Sequence, residues 1–127
     1  MAEHNELGIK GEQMALDYLL QKGYTLRERN WRFKKAELDL IMEQGDFVVV
    51  VEVKTRVNNF AGEPEMAVKK NKQKMLVLGA NEYMQSNQID KEVRFDIVGI
   101  TLNQQYSNIT HIEGAFSPAL VKIWAYR

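Results

Sequence analysis

The feature that most constrains this chain is the run Phe47-Val48-Val49-Val50-Val51-Glu52-Val53-Lys54. A short apolar series dominated by β-branched residues reads as a strand. Side chains alternate across a strand, so Glu52 and Lys54 share one face while Val53 points to the other. Charged side chains are seldom buried unless they are paired or bind a metal. Two charges emerging on one face at the end of a hydrophobic strand therefore need a reason. The plain one is a strand running out into solvent with an exposed ion pair. Phosphodiester hydrolysis supplies another, because it needs carboxylates to hold a divalent cation and a positive group to stabilise developing negative charge.

Further elements gather around this strand. Leu7 to Lys22 reads as a helix with apolar residues at Ala15, Leu16 and Leu19, stopped by Gly23. Tyr24 to Trp31 is expected as a first strand and Ala36 to Met42 as a second. Gln44-Gly45-Asp46 then turns the chain into the third, Phe47 to Thr55. Val57 to Glu63 is a polar, glycine-containing loop, and Pro64 can open a long helix running to about Gln85. Val93 to Leu102 and Tyr106 to Ile112 read as strands, followed by a short segment containing Trp124 and Tyr126. Helix, three strands, helix and strands imply an α/β domain, a mixed sheet with helices on its faces. The 127 residues suit a single domain.

Composition removes several chemistries. The absence of cysteine excludes disulfides, thiolate catalysis and cysteine-based zinc sites. His4 and His111 are too few and too far apart for a zinc hydrolase. Lys+Arg and Asp+Glu balance at 17 each, so any nucleic-acid binding must come from local patterning. No apolar stretch could span a membrane, and the polar start Ala2-Glu3-His4-Asn5 lacks a secretory core, so a cytoplasmic location is expected.

The charged residues sharpen a site when placed on these elements. On the second strand Glu37, Asp39 and Ile41 are expected on one face, with Leu38, Leu40 and Met42 on the other. A tight turn between the second and third strands can bring Asp39 beside Glu52. Glu12 opens the stripe Glu12, Ala15, Leu16, Leu19, on the face that packs against the protein. Lys72 lies in line with Val68, Met75, Leu76, Ala80 and Tyr83. Either charge could instead snorkel to solvent from the end of its stripe.

Gly11-Glu12 with Ala15 and Tyr18-Leu19, then Asn30-Trp31-Arg32, Glu37-Leu38-Asp39-Leu40-Ile41 and Val51-Glu52-Val53-Lys54-Thr55-Arg56 together resemble the YraN family. Gly62, Pro64, Ala67-Val68, Lys72, Ala80, Tyr83 and Arg94-Phe95-Asp96 extend the likeness, which runs from about Leu7 to Ile100. YraN proteins are small bacterial proteins with a restriction-endonuclease-like fold. Their helical Glu, strand Asp and E-x-K are similar to the arrangement in archaeal Holliday-junction resolvases. The resemblance implies a nuclease core of PD-(D/E)xK type acting on DNA, with branched or structured forms foremost. In it Asp39 and Glu52 would ligate Mg2+ or Mn2+, joined by the backbone carbonyl of Val53. Lys54 would position or activate the attacking water, and Glu12 would serve as a further acidic ligand or water holder. The sequence departs from the family pattern at Ala36, where glycine is usual.

Lys69, Lys70, Lys72 and Lys74 form a basic cluster, and Arg56 lies just past the E-x-K strand. These five are the candidates for phosphate contact, although a lysine run on a helix also serves as a solvated face. Trp31 with Arg32 could stack on a base or simply pack in the core. Asp96, in an apolar strand, is expected as a buried partner of Arg94 or of a helix end. Nucleic acid is the expected partner, DNA first, without a membrane; a homodimer is compatible with the sequence. A binding domain that keeps the nuclease fold without turnover is the alternative.

Overall fold

A computed structural model describes residues 6–57, 66–103 and 107–118. Within them seven elements run in order: α1 (Glu6–Gln21), β1 (Thr25–Phe33), β2 (Ala36–Gln44), β3 (Phe47–Val57), α2 (Lys70–Ser86), β4 (Glu92–Leu102) and β5 (Ser107–Ile112). The strands form one sheet in the order β1-β2-β3-β4-β5. Neighbours are antiparallel except β3 and β4, which run parallel and are connected through α2. This is the α/β, restriction-endonuclease-like arrangement expected from the sequence.

The apolar run of β3 sits at the centre of the sheet and is covered from both sides. Val49 and Val51 pack with Ala15, Leu16 and Leu19 of α1, together with Leu40, Met42, Val98 and Ile100. Val48 and Val50 pack with Leu76, Val77, Ala80 and Tyr83 of α2, together with Leu38, Ile41 and Phe95. The hairpin between β2 and β3 closes on the Gln44–Phe47 pair, and Gly45 takes the left-handed conformation that the turn requires, φ +59°.

Two expectations are corrected. The second long helix starts at Lys70, not near Pro64, which lies outside the described residues together with the loop at 58–63. Lys69 is still extended, at φ −67° and ψ 155°. The carbonyls just before it are occupied by side chains: Lys54 Nζ donates to Ala67 and Gln73 Nε2 to Val68. The first helical bond at this end runs from the Gln73 N–H to the Lys69 carbonyl.

The second correction concerns the faces of β2. Leu38 packs on the α2 side with Ile41, whereas Leu40 and Met42 pack on the α1 side. Strict alternation would have kept Leu38 and Leu40 together. On β1 the same exchange occurs: Arg29 reaches Glu12 and Gln13 of α1, while Trp31 packs with the α2 cluster. Between them Asn30 has a left-handed backbone, φ +51°. Pairing of Arg29 with Leu40 and of Trp31 with Leu38 sets Asn30 opposite Asp39. A left-handed residue inside a strand rotates the residues after it, and both strands change faces at this one rung.

On the α1 side of β4 a polar group is enclosed. Asp96 is 1% exposed, and its carboxylate accepts from Arg94 Nε and Nη2, both at 2.9 Å, and from the Gly114 N–H at 3.0 Å. His111 Nε2 stands 2.8 Å from Asp96 Oδ2. Arg94 also donates to the Tyr24 hydroxyl at 2.7 Å. The expected partnership of Asp96 with Arg94 is present.

Candidate functional site

Antiparallel pairing of β2 with β3 runs from Gln44–Phe47 to Leu40–Val51, and Asp39 and Glu52 would form the next rung. Instead Asp39 Oδ2 accepts the Val53 N–H at 2.9 Å. A side chain thus takes the place of the backbone ladder at the point where the two strands part. The split coincides with the face change at Asn30 and Asp39, and the Asp39 carboxylate is turned into the gap.

Glu52 and Lys54 point to the α2 side, as alternation requires, and line an open pocket of about 230 Å³ with Ala67, Val68, Lys69 and Lys72. Val53 points the other way and packs against the α1 cluster. Glu52 is largely enclosed, with a side chain 13% exposed. Its Oε2 pairs with Lys72 Nζ at 3.2 Å, whereas its Oε1 is buried without a hydrogen-bond partner among the described residues. A desolvated carboxylate oxygen without a partner is costly and marks a place for a positive ligand. Lys54 is half-buried, and its ammonium donates to the Ala67 carbonyl at 2.5 Å.

Glu12 is delivered by a close helix approach. A Cβ on Gly11 would stand 1.9 Å from Thr55 Oγ1, so only glycine lets α1 come this near to β3. The neighbouring Glu12 faces the protein, as its stripe predicts. Its Oε1 accepts from Asn30 Nδ2 at 3.1 Å and lies 3.4 Å from Arg29 Nη2. On the opposite face a Cβ on Gly79 would lie 3.1 Å from the Ala36 methyl. Ala36 therefore meets helix α2, and the methyl that departs from the family pattern is buried in packing.

Electrostatics bind the acidic groups together. Burial pushes the Asp39 carboxyl up to about 7, and the neighbouring charges of Glu52 and Glu12 add to the effect. The Val53 N–H and the Lys72 ammonium act in the opposite direction. Near neutral pH the Asp39 carboxyl is thus poised to ionise when positive charge comes close. The chemistry of the donors suits a hard divalent cation: oxygen ligands only, without thiolate or imidazole. Asp39, at the parting of the strands, and Glu52, in the pocket, are the candidate donors. Among the described residues no three His, Cys, Asp or Glu side chains are gathered into a set that could hold a metal ion.

The basic candidates divide. Lys69 and Lys72 line the pocket, Lys70 is exposed at the start of α2, and Lys74 is half-buried one turn on. Arg56 is half-buried two positions beyond Lys54 and pairs in register with Thr101 of β4. Trp31 packs edge-on to Tyr83, with ring centroids 5.2 Å apart, and lies partly buried against the α2 cluster. Sequence reasoning did not single out Gly11, Thr55, Arg29 and Asn30 as supports of the site. The signal was present at Gly11, since a glycine inside a helix costs about 1 kcal/mol and calls for a packing reason.

An α/β fold with these acidic residues at a parting of two central strands defines the class. The chain belongs to the uncharacterised protein family UPF0102, the YraN family, whose model matches residues 11–100. A UPF0102 protein of Flavobacterium psychrophilum is 45% identical over 116 residues, covering 91% of this chain and 98% of the relative. One from Bacteroides thetaiotaomicron is 47% identical over 120 residues, covering 94% and 99%. One from Phocaeicola vulgatus is 42% identical over 120 residues, covering 94% and 99%.

Proposed function

We propose that this protein is a metal-dependent nuclease of PD-(D/E)xK type, acting on branched or structured DNA. The observation that carries the reading is the parting of β2 and β3, where the Asp39 carboxylate meets the Val53 N–H and Glu52 Oε1 is buried without a partner among the described residues. Asp39 and Glu52 would hold Mg2+ or Mn2+. The carbonyl of Val53 would complete the set, since the N–H and C=O of a strand residue point to the same edge. A bound divalent cation would neutralise charge at the scissile phosphate and lower the pKa of water.

The chain's own residues do the rest. Lys54 shares a wall with Glu52 and needs only to leave the Ala67 carbonyl to donate to a phosphate oxygen in the transition state. Glu12, behind the parted strands, holds water by its carboxylate. Lys69, Lys70, Lys72, Lys74 and Arg56 supply positive charge along the approach to Glu52 and attract the phosphate backbone.

A second reading also has support. Lys72 already pairs with Glu52, and Arg29 with Glu12, which is how a nucleic-acid- or protein-binding domain without turnover would neutralise these carboxylates. One screen separates the two. Single-stranded, duplex, flapped and four-way DNA are incubated with Mg2+ or Mn2+, and binding is measured in parallel with Ca2+. Metal-dependent cleavage that vanishes in Glu52→Gln supports the nuclease. Binding without cleavage of any substrate leaves the binding domain.

A further inference from the structure

Asn30 stands out on three independent counts. It is a left-handed residue in the middle of a strand, a conformation that a non-glycine side chain disfavours and that asparagine tolerates best. It lies opposite Asp39 on the rung where β1 and β2 both change faces. Its side-chain amide donates to Glu12 Oε1 at 3.1 Å. Strain of this kind persists where the surroundings demand it, and it gathers at functional sites.

We infer that Asn30 is the positioning residue of the acidic site, turning Asp39 into the gap between β2 and β3 by its backbone and orienting Glu12 by its amide. The inference rests on the nuclease reading of that site. The donor assignment is secure because a carboxylate only accepts. Arg29 reaches the same oxygen, but from 3.4 Å and with a side chain 37% exposed, so it is a weaker, solvent-screened hold. Both contacts fall on Oε1. Among the described residues Oε2 of Glu12 takes no hydrogen bond, and the side chain is only 14% exposed. The carboxylate is therefore gripped by one oxygen and presents the other. An amide is well suited to this task because it fixes the geometry without neutralising the charge.

The two parts of the role can be separated. Asn30→Gly relaxes the left-handed backbone while deleting the amide, so the fold and the face change are kept and only the grip on Glu12 is removed. The test is Mn2+ titration calorimetry without nucleic acid on the wild type, Asn30→Gly, Glu12→Gln and the double variant, each checked by thermal melting. Asn30→Gly should melt at or above the wild-type temperature yet bind Mn2+ about 10-fold or more weakly, the scale of losing a residue that orients a site's carboxylate. In the Glu12→Gln background the same substitution should add little, because Asn30 acts through Glu12. Wild-type Mn2+ affinity in Asn30→Gly overturns the inference, as does an undiminished loss in the double variant. Asp39→Asn is the control. If it weakens Mn2+ binding and Asn30→Gly does not, the nuclease reading stands and this inference falls. If the wild type binds no Mn2+, both fall together.

Discussion

Asp39 concentrates the chemistry of the site in one side chain. Its carboxyl is raised from 3.8 to about 7 by burial, with Glu52 and Glu12 adding to the effect. Between these values the native protein holds a proton that the unfolded chain has released. Stability from this group is therefore fully present below about pH 4 and is lost as pH rises through about 7. Removing the charge should help the metal-free protein. Asp39→Asn keeps an oxygen for the Val53 N–H and should be more stable than wild type at pH 8, by up to ~4 kcal/mol. At pH 4 the two should be equal. Urea melts at both values decide it, and a variant less stable at pH 8 refutes the argument. Added Mn2+ should reverse the order, stabilising only the wild type. Lys54 carries a different prediction. Lys54→Ala should keep Mn2+ binding yet lose about 100-fold or more in single-turnover cleavage, the scale of removing one transition-state donor. Cleavage at the wild-type rate would end the role assigned to it.

Helix α1 matters through one close approach. Gly11 allows the helix to settle on Thr55, and that closeness sets where Glu12 stands. Gly11→Ala should lift α1 from β3 and cost roughly 1–3 kcal/mol, as overpacking does. The accompanying loss of Mn2+ affinity should exceed what the lower melting temperature explains. Unchanged stability and affinity would mean that α1 yields freely and the approach is unimportant. Helix α2 contributes charge. Replacing Lys69, Lys70 and Lys74 together with Ala should weaken DNA binding and lower the salt slope by roughly one for each phosphate no longer touched. Lys72 is left intact because it pairs with Glu52. An unaltered slope would return the cluster to a solvated face.

For the molecule as a whole, the enclosed Asp96 is a lock on the far part of the sheet. Burial pushes this carboxyl up, but bonds from His111, Arg94 and the Gly114 N–H outweigh it and hold it below the ordinary 3.8. A depressed carboxylate stabilises fully above the unfolded value and loses that contribution as pH falls through the folded one. Acid unfolding should therefore steepen below about pH 4. Asp96→Asn should remove that dependence and cost about 3 kcal/mol at pH 7, because Arg94 and His111 lose a buried partner. Denaturant midpoints from pH 3 to 7 for both proteins measure it; parallel curves would exclude Asp96 as the lock. No helix among the described residues is long and apolar enough to cross a membrane.

Local chemistry is what the linear chain displays. The run Phe47 to Val53, the turn at Gly45 and the stripe Ala15, Leu16, Leu19 determined the order and type of the elements, because period and turn chemistry are properties of neighbouring residues. Alternation alone placed Glu52 and Lys54 on one face, and a tight turn placed Asp39 near Glu52. The start of α2 at Lys70 could not be read, since side chains from β3 and from the helix itself occupy the Ala67 and Val68 carbonyls. Nor could the exchange of faces at Asn30 and Asp39. A single left-handed residue, Asn30, interrupts the alternation on which the reading of β1 and β2 rests. Only the packed sheet, with α1 held against Thr55 and α2 against Ala36, decides which way the Asp39 carboxylate turns, because that direction is set by contacts between residues far apart in sequence.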